Sequence, residues 1–301
     1  MPEAELEQER IMEINGRTRT CGLIGNPVEH TMSPAIHNTL ARIYGHDLAY
    51  LPFHVPAGGL EEAVKGAYAL NFLGLNVTVP YKSQVIPFLK ETDPLAREIG
   101  AVNTLVRVEG GFKGYNTDMP GLWRAMCQDN VALEGQKVLI LGAGGVARAV
   151  ALLAVRKGAG EVILLNRTLE KAQAVAEEVN ALTGRTAARA LALQEHAFLP
   201  AGEKYLAVQA TNVGMYPRTQ EAVIEDPSFY EKIQVGYDLI FNPARTRFMS
   251  LVEESGGRAW NGLKMLLYQG IIAYELWTGA EVGQAQAQEA FQAMKRAMGI
   301  L

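Results

Sequence analysis

Two rhythms of apolar residues run along this chain. From Lys137 onward, short unbroken apolar runs alternate with helical stripes. KVLILG (137–142) leads into GVARAVALLAVRKG, then EVILLN (161–166), then LEKAQAVAEEVNAL, then YLAVQAT and QVGYDLIF. Strands that are apolar at every position must be covered on both faces. Helices between successive strands supply that cover, so the pattern predicts a parallel sheet. The N-terminal part is more varied. CGLIG from Cys21 reads as a buried strand, and Ser33 followed by Pro34 opens a helix striped by Ile36, Leu40 and Ile43 up to Gly45. LAYLPFHV is a second strand and GGLEEAVKGAYALN a second helix. GLNVTV alternates Leu75, Val77 and Val79 with Asn76 and Thr78, the mark of a half-buried strand stopped by Pro80. AVNTLVRVEGGFKGYN reads as a hairpin about Gly110 and Gly111, and Asp118 with Pro120 opens another helix. Past residue 247 the chain is mostly helical, in FMSLVEESG, LKMLLYQGIIAYELWTG and AQAQEAFQAMKRAMGIL.

The fold class expected is therefore α/β in two domains. Residues 1–120 form an N-terminal α/β domain with a mainly parallel sheet, and 121–255 form a domain of repeated strand–helix units. The last helices, 256–301, have no sheet of their own and pack back onto the first domain. A length of 301 residues suits two cores. Hydrophobic residues at 49% and charged residues at 20% are the balance of a globular protein in water. A net charge of −4 points to neither nucleic acid nor an anionic membrane as partner. MPEAELEQER is acidic and lacks an apolar core, and no apolar run approaches a membrane span of roughly 18 residues. Residues 1–18 read as an extension. The expected place is the cytoplasm. Cys21 and Cys127 make no CxxC pair, and the five histidines have no metal-binding spacing, so no metal is expected.

The chemistry begins at GAGGVA. Gly142, Gly144 and Ala147 stand at G-x-G-x-x-A spacing between an apolar strand and a helix. The first glycine allows the turn, the second lets backbone approach a diphosphate, and the third small residue lets helix and strand pack. Ala143, Gly145 and Val146 complete the loop, whose N–H groups face the phosphates. About twenty residues on, a carboxylate would hold the ribose 2′-hydroxyl of NAD. This chain has Asn166, Arg167 and Thr168 there, and Lys171 one helical turn later. A guanidinium pairs with a 2′-phosphate that a carboxylate would repel, so NADP is the expected cofactor.

Three polar clusters lie in the N-terminal half. Thr31 and Ser33 precede a helix start, where hydroxyls and free N–H groups suit a carboxylate; capping by Ser33 alone is the plainer alternative. Asn76 and Thr78 share one strand face, with Lys82 just beyond its end. Asp118 reads by itself as an N-cap. Paired with Lys82 it reads as half of a proton-transfer couple for carbonyl reduction.

Together GLIGNPVEHTMSPAIHN, LNVTVPYK, GAVNTL, GYNTD, LGAGGVARA, NRT, VGM, YDLIFNPARTRF and NGLKMLLYQ resemble the shikimate dehydrogenase family over nearly the whole chain, in the family's order. The resemblance implies a substrate domain and a Rossmann-type NADP domain. It implies that Lys82 and Asp118 are the catalytic pair, with Lys82 the acid/base. It assigns substrate contacts to Thr31, Ser33, Thr78, Asn103 and Gln269, with Asn76 beside them. It assigns the diphosphate loop to 142–146, the adenosine end to 166–171, and the neighbourhood of the nicotinamide to Leu239 and Gly262. Two departures stand out. Thr31 occupies a position that is often Ser, and Phe241 one that is commonly Tyr, which removes a hydroxyl worth about 0.5–1.5 kcal/mol in a hydrogen bond. The implied reaction is reversible reduction of 3-dehydroshikimate to shikimate in aromatic amino acid biosynthesis. A quinate or mixed quinate/shikimate dehydrogenase is the close alternative. Glutamyl-tRNA reductase, which needs a cysteine nucleophile, and a non-catalytic NADP sensor, which would not need Lys82 and Asp118, are more distant. The implied partners are small molecules, and the chain is expected to be a monomer or homodimer.

Overall fold

The computed structural model describes residues 14–300. Of the extension read at 1–18, residues 1–13 lie outside the described part; 15–18 form a turn closed by the Thr18 N–H on the Asn15 carbonyl at 3.1 Å. The chain divides into two compact units. One runs to Thr117 and resumes at Gly270; the other is Asp118–Gln269.

In the first unit the elements run β1 (Arg19–Gly25), α1 (Ser33–Tyr44), β2 (Leu48–His54), α2 (Leu60–Ala69), β3 (Gly74–Val77), β4 (Glu91–Thr92), α3 (Pro94–Ile99), β5 (Thr104–Val108) and β6 (Gly111–Tyr115). The sheet order is β2-β1-β3-β5-β6-β4. β1 pairs in parallel with both β2 and β3, while β5 turns back against β3 and forms a hairpin with β6. Gly110, at φ +80°, makes that turn. One face buries Ile24, Val64, Leu75, Val77, Leu105 and Phe112. The β4 and α3 segments carry no clear periodicity and were not legible in the sequence.

GLNVTV departs from the expected alternation. The strand ends at Val77, all four of its residues are buried, and Val79 is 64% exposed. Asn76 is buried too, inside a polar network. Its Oδ1 accepts from the Tyr50 hydroxyl at 2.7 Å, and its two amide protons go to the Asn103 carbonyl and Thr104 Oγ1. His37 stacks on Tyr50 at 4.2 Å. Neither His37 ring nitrogen has a hydrogen-bond partner among the described residues. Burial holds its pKa down to about 3, so the ring is neutral.

The second unit follows as α4 (Asp118–Gln128), β7 (Lys137–Leu141), α5 (Gly145–Arg156), β8 (Glu161–Asn166), α6 (Leu169–Thr183), β9 (Ala188–Ala192), β10 (Tyr205–Gln209), α7 (Pro227–Tyr230), β11 (Ile233–Asp238), α8 (Arg247–Glu254), β12 (Arg258–Trp260) and the first part of α9 (Leu263–Thr278). All pairs in its sheet are parallel, in the order β12-β11-β10-β7-β8-β9. Numbered within the unit this is 6-5-4-1-2-3, the doubly wound Rossmann order. β7 and β8 are buried almost throughout, as their unbroken apolar runs require. β9 and β12 are short and mixed in composition, and the apolar pattern does not reveal them. Because β12 pairs with β11, this unit extends past residue 255, the boundary expected from the sequence.

The second half of α9, with α10 (Gln284–Ala297), belongs to the first unit. Trp277 donates its indole N–H to the Leu105 carbonyl at 2.8 Å, and Arg42 of α1 pairs with Glu289 of α10 at 2.6 Å.

Candidate active-site residues

The order of strands in the second unit reverses between β7 and β10, and the glycine turn lies there. The Gly142 N–H donates to the Leu165 carbonyl at 2.8 Å with φ +115°, and a Cβ on it would stand 2.9 Å from Thr211 Cγ2, just past β10. Turn geometry and packing therefore both demand glycine. Gly144 and Gly145 differ, because a Cβ on either would meet nothing within 4 Å. Packing within the protein does not require these two glycines. They leave open the space through which an outside group reaches backbone. Gly144 is the N-cap of α5, and no side chain caps that helix, so its first N–H groups keep their donors for an anion. Ala147 is fully buried against the sheet, while Val146 is 47% exposed. Behind the turn, Arg148 grips Glu178 through Nε and Nη2 at 2.5 Å each, tying α5 to α6. These features fit a dinucleotide diphosphate.

At the end of β8, Arg167, Thr168 and Lys171 are exposed. Asn166 donates an amide proton to the Thr168 carbonyl at 2.8 Å, so it shapes the turn as well as standing near it. Arg167 borders a cavity of about 420 Å³ together with Leu193, His196, Val223 and Glu225. Three separate segments build this cavity, and only the one with Arg167 carries a motif. Leu239 and Gly262 are brought into direct contact. The Gly262 N–H donates to the Ile240 carbonyl at 2.9 Å, and a Cβ on Gly262 would collide with the Leu239 backbone. Phe241 is half-buried. Beneath this loop Asp238 is fully buried; it accepts from Thr246 Oγ1 at 2.6 Å and from the Ile240 N–H at 2.9 Å. Burial raises its pKa to about 6. Asp238 was not singled out from the sequence, where a strand-end Asp looks ordinary.

In the first unit, α1 begins differently from the expectation. Met32 is its N-cap, Ser33 is already helical, and no side chain caps from Met32. Thr31 is the residue that folds over the helix start: its Oγ1 accepts the Ser33 N–H and donates to Ser33 Oγ, both at 3.2 Å. The two hydroxyls thus sit side by side. Thr78 and Lys82 are half-buried, and the Lys82 carbonyl accepts the Val102 N–H at 2.7 Å, which fastens its turn beside Asn103. Asn103 is buried, with Oδ1 taking the Thr117 N–H at 2.7 Å and Nδ2 donating to Thr117 Oγ1 at 3.0 Å. Tyr50, Thr104 and Thr117 complete this polar core, and sequence reasoning missed them because each looks like an ordinary strand or turn residue.

Asp118 is the first residue of α4. Gln269, on α9, donates to the Leu266 carbonyl at 2.8 Å. Among the described residues no group of three or more His, Cys, Asp and Glu is placed to hold a metal, and no helix is long and apolar enough to cross a membrane.

A doubly wound parallel sheet with an uncapped, glycine-lined helix start at its switch point defines a dinucleotide-binding unit, joined in one chain to a second α/β unit. Known proteins narrow the class. Residues 23–105 match the family model of the shikimate dehydrogenase substrate binding domain, and 125–221 match that of shikimate / quinate 5-dehydrogenase. A shikimate dehydrogenase (NADP(+)) of Carboxydothermus hydrogenoformans is 40% identical over 96% of this chain and 99% of its own. A solved shikimate dehydrogenase in complex with NADP+ superposes with a TM-score of 0.86 at 34% identity, covering 95% of this chain and 97% of that one. The enzyme from Thermus thermophilus, in complex with NADP(H) and shikimate, gives 0.80 at 33% identity over 93% and 99%. The chain belongs to the shikimate dehydrogenase family.

Proposed function

We propose that this chain is an NADP-dependent shikimate dehydrogenase. It reduces 3-dehydroshikimate to shikimate, and runs in reverse, within aromatic amino acid biosynthesis. The observation that carries the reading is the 40% identity to a shikimate dehydrogenase (NADP(+)) across 96% of the chain. In this reading the unit to Thr117 with its C-terminal helices takes the substrate, and Asp118–Gln269 takes the cofactor. With Cys21 and Cys127 both free thiols, the proposed setting is a reducing compartment, the cytoplasm.

When bound, NADPH supplies the hydride that goes to the ketone carbon. The remaining work falls to side chains. The Thr31 and Ser33 hydroxyls donate to the substrate carboxylate, and their adjacency supports that role. Thr78, Asn103 and Gln269 hold the ring hydroxyls, and Lys82 donates the proton to the carbonyl oxygen as it becomes an alkoxide. Asp118 keeps that proton transfer oriented, which is general acid catalysis with an electrostatic partner. One hydride and one proton enter per ketone reduced, and the reverse reaction returns both. Asn76 is assigned a supporting place, since its amide protons already serve the protein. The backbone of 142–146 takes the diphosphate, with Ala143 and Val146 flanking. Arg167 takes the 2′-phosphate, with Asn166, Thr168 and Lys171 around it, and Leu239 and Gly262 face the nicotinamide.

A second reading, oxidation of quinate, is favoured by the family model that covers both acids and by Phe241, which offers no hydroxyl to substrate. One experiment separates them: rates with shikimate or quinate, each with NADP+ or NAD+, followed by nicotinamide absorbance. Fast turnover restricted to shikimate and NADP+ is expected. Equal or faster rates with quinate would replace shikimate as the substrate, and equal rates with NAD+ would remove Arg167 as the discriminating group.

A further inference from the structure

Helices α4 and α9 meet at a glycine. A Cβ on Gly121 would stand 2.7 Å from the Gln269 backbone nitrogen, 2.8 Å from its Cα and 2.9 Å from its Cβ. Carbon atoms pack comfortably at about 3.5–4.0 Å, so no other residue fits without moving one helix. The backbone itself does not ask for glycine here, because Gly121 is not among the residues with positive φ. Glycine inside a helix weakens it relative to alanine. What requires it is the approach of the other helix.

Two further contacts hold the same pair of helices. The Arg124 guanidinium lies 5.0 Å from the centre of the Tyr268 ring, next to Gln269. At the far end Lys264 pairs with the buried carboxylate of Asp129, which also accepts from the Tyr237 hydroxyl at 3.2 Å. The Gln269 side chain is laid along its own helix by the bond to the Leu266 carbonyl. Asp118 opens α4 one turn before Gly121.

We propose that Gly121 is a positioning residue: by letting α4 and α9 touch backbone to backbone, it fixes where Gln269 stands relative to Asp118. The inference rests on the reading of Gln269 as a substrate ligand. A group displaced by as little as 1 Å in such a site loses rate and affinity out of proportion to the movement.

The test is a kinetic double-mutant cycle of wild type, Gly121→Ala, Gln269→Ala and the double variant. Gly121→Ala is expected to raise KM for shikimate about tenfold, and to leave KM for NADP+ within about twofold. On the Gln269→Ala background the same change should add no more than about twofold, because the two act as one. An unchanged KM for shikimate in Gly121→Ala would overturn the proposal, as would its full effect on top of Gln269→Ala. Should Gly121→Ala fail to fold, Arg124→Gln loosens the same helix pair more gently. A smaller rise in KM that vanishes on the Gln269→Ala background supports the proposal, and an additive rise overturns it. Gln269→Ala alone guards the underlying reading. If it leaves KM for shikimate unchanged, the assignment of Gln269 falls and takes this proposal with it. If it is impaired while Gly121→Ala is not, only the role of Gly121 is lost.

Discussion

Asn103 and Thr117 hold each other twice. The Thr117 N–H reaches Asn103 Oδ1 at 2.7 Å, and Asn103 Nδ2 reaches Thr117 Oγ1 at 3.0 Å. The pair locks the start of β5 to the residue that immediately precedes Asp118. Thr104 Oγ1 lies 3.1 Å from the same Thr117 hydroxyl. Thr117→Val keeps the shape and removes that hydroxyl from a fully enclosed network. Leaving buried partners unpaired costs roughly 1–3 kcal/mol. Urea unfolding should show a loss of that size, and an unchanged midpoint would mean that the network tolerates the gap.

Lys82 is the proposed proton donor. Lys82→Ala should lower kcat for shikimate oxidation by about 10²–10⁴. NADPH binding, read by nucleotide fluorescence, should stay within about twofold, since the proton donor adds nothing to uniform cofactor binding. A variant that turns over normally would remove Lys82 from the chemistry.

Gly144→Ala separates binding from folding. Its added methyl meets nothing in the protein, and φ is −83°, which alanine accepts. Thermal stability should rise or stay level. Affinity for NADP+ should fall about tenfold, the cost of pushing a phosphate off one or two backbone N–H groups at about 1.5 kcal/mol. Retained affinity would mean that the diphosphate does not pass over this residue.

Arg167→Ser should lower kcat/KM for NADP+ by roughly 10–100-fold, matching about 1.5–3 kcal/mol for a charge-assisted contact. The value for NAD+ should barely move. The difference should shrink in high salt, because Arg167 is exposed and its charge is screened. Equal losses with both cofactors would point to a general structural role.

Two buried groups give opposite acid responses. His37 is held down to about 3, against an ordinary value of 6.5. The unfolded chain therefore binds the proton first, and the fold loses stability as pH falls from 6.5 toward 3. Asp238 is raised to about 6 from 3.8, so here the folded state binds the proton first. Its ionisation removes stability as pH rises from about 4 to 6. Compared with wild type, His37→Phe should gain relative stability as pH drops from 7 to 4.5. Asp238→Asn should gain as pH climbs from 4 to 7. Urea midpoints across that range test both, and parallel curves would show that these groups do not govern the profile.

Some of this was legible in the chain. Unbroken apolar runs at 138–141 and 162–165, short and set between glycine turns and helical stripes, read as strands covered on both faces, and such a pattern needs no partner to be read. The glycine turn was legible for the same reason, since strand, turn and helix are contiguous. Thr31 and Ser33 were singled out, but the sequence put the cap on Ser33, whereas Met32 is the N-cap and Ser33 already helical, because helix starts shift by a residue without altering the pattern. The three-dimensional arrangement decided the rest. β9 and β12 exist because neighbouring strands pair with them, as their own short, mixed sequences are too weak to announce a strand. Asn76 looked like a solvent-facing strand residue until Tyr50, Asn103 and Thr104, brought from elsewhere in the chain, took up its polar atoms. Gly121 looked like any glycine in a helix until α9 arrived against it. The residues of a segment determine what it can become by itself, through periodicity and backbone preference. Which distant groups meet, and so which polar atoms are satisfied and which glycines are irreplaceable, follows only from packing.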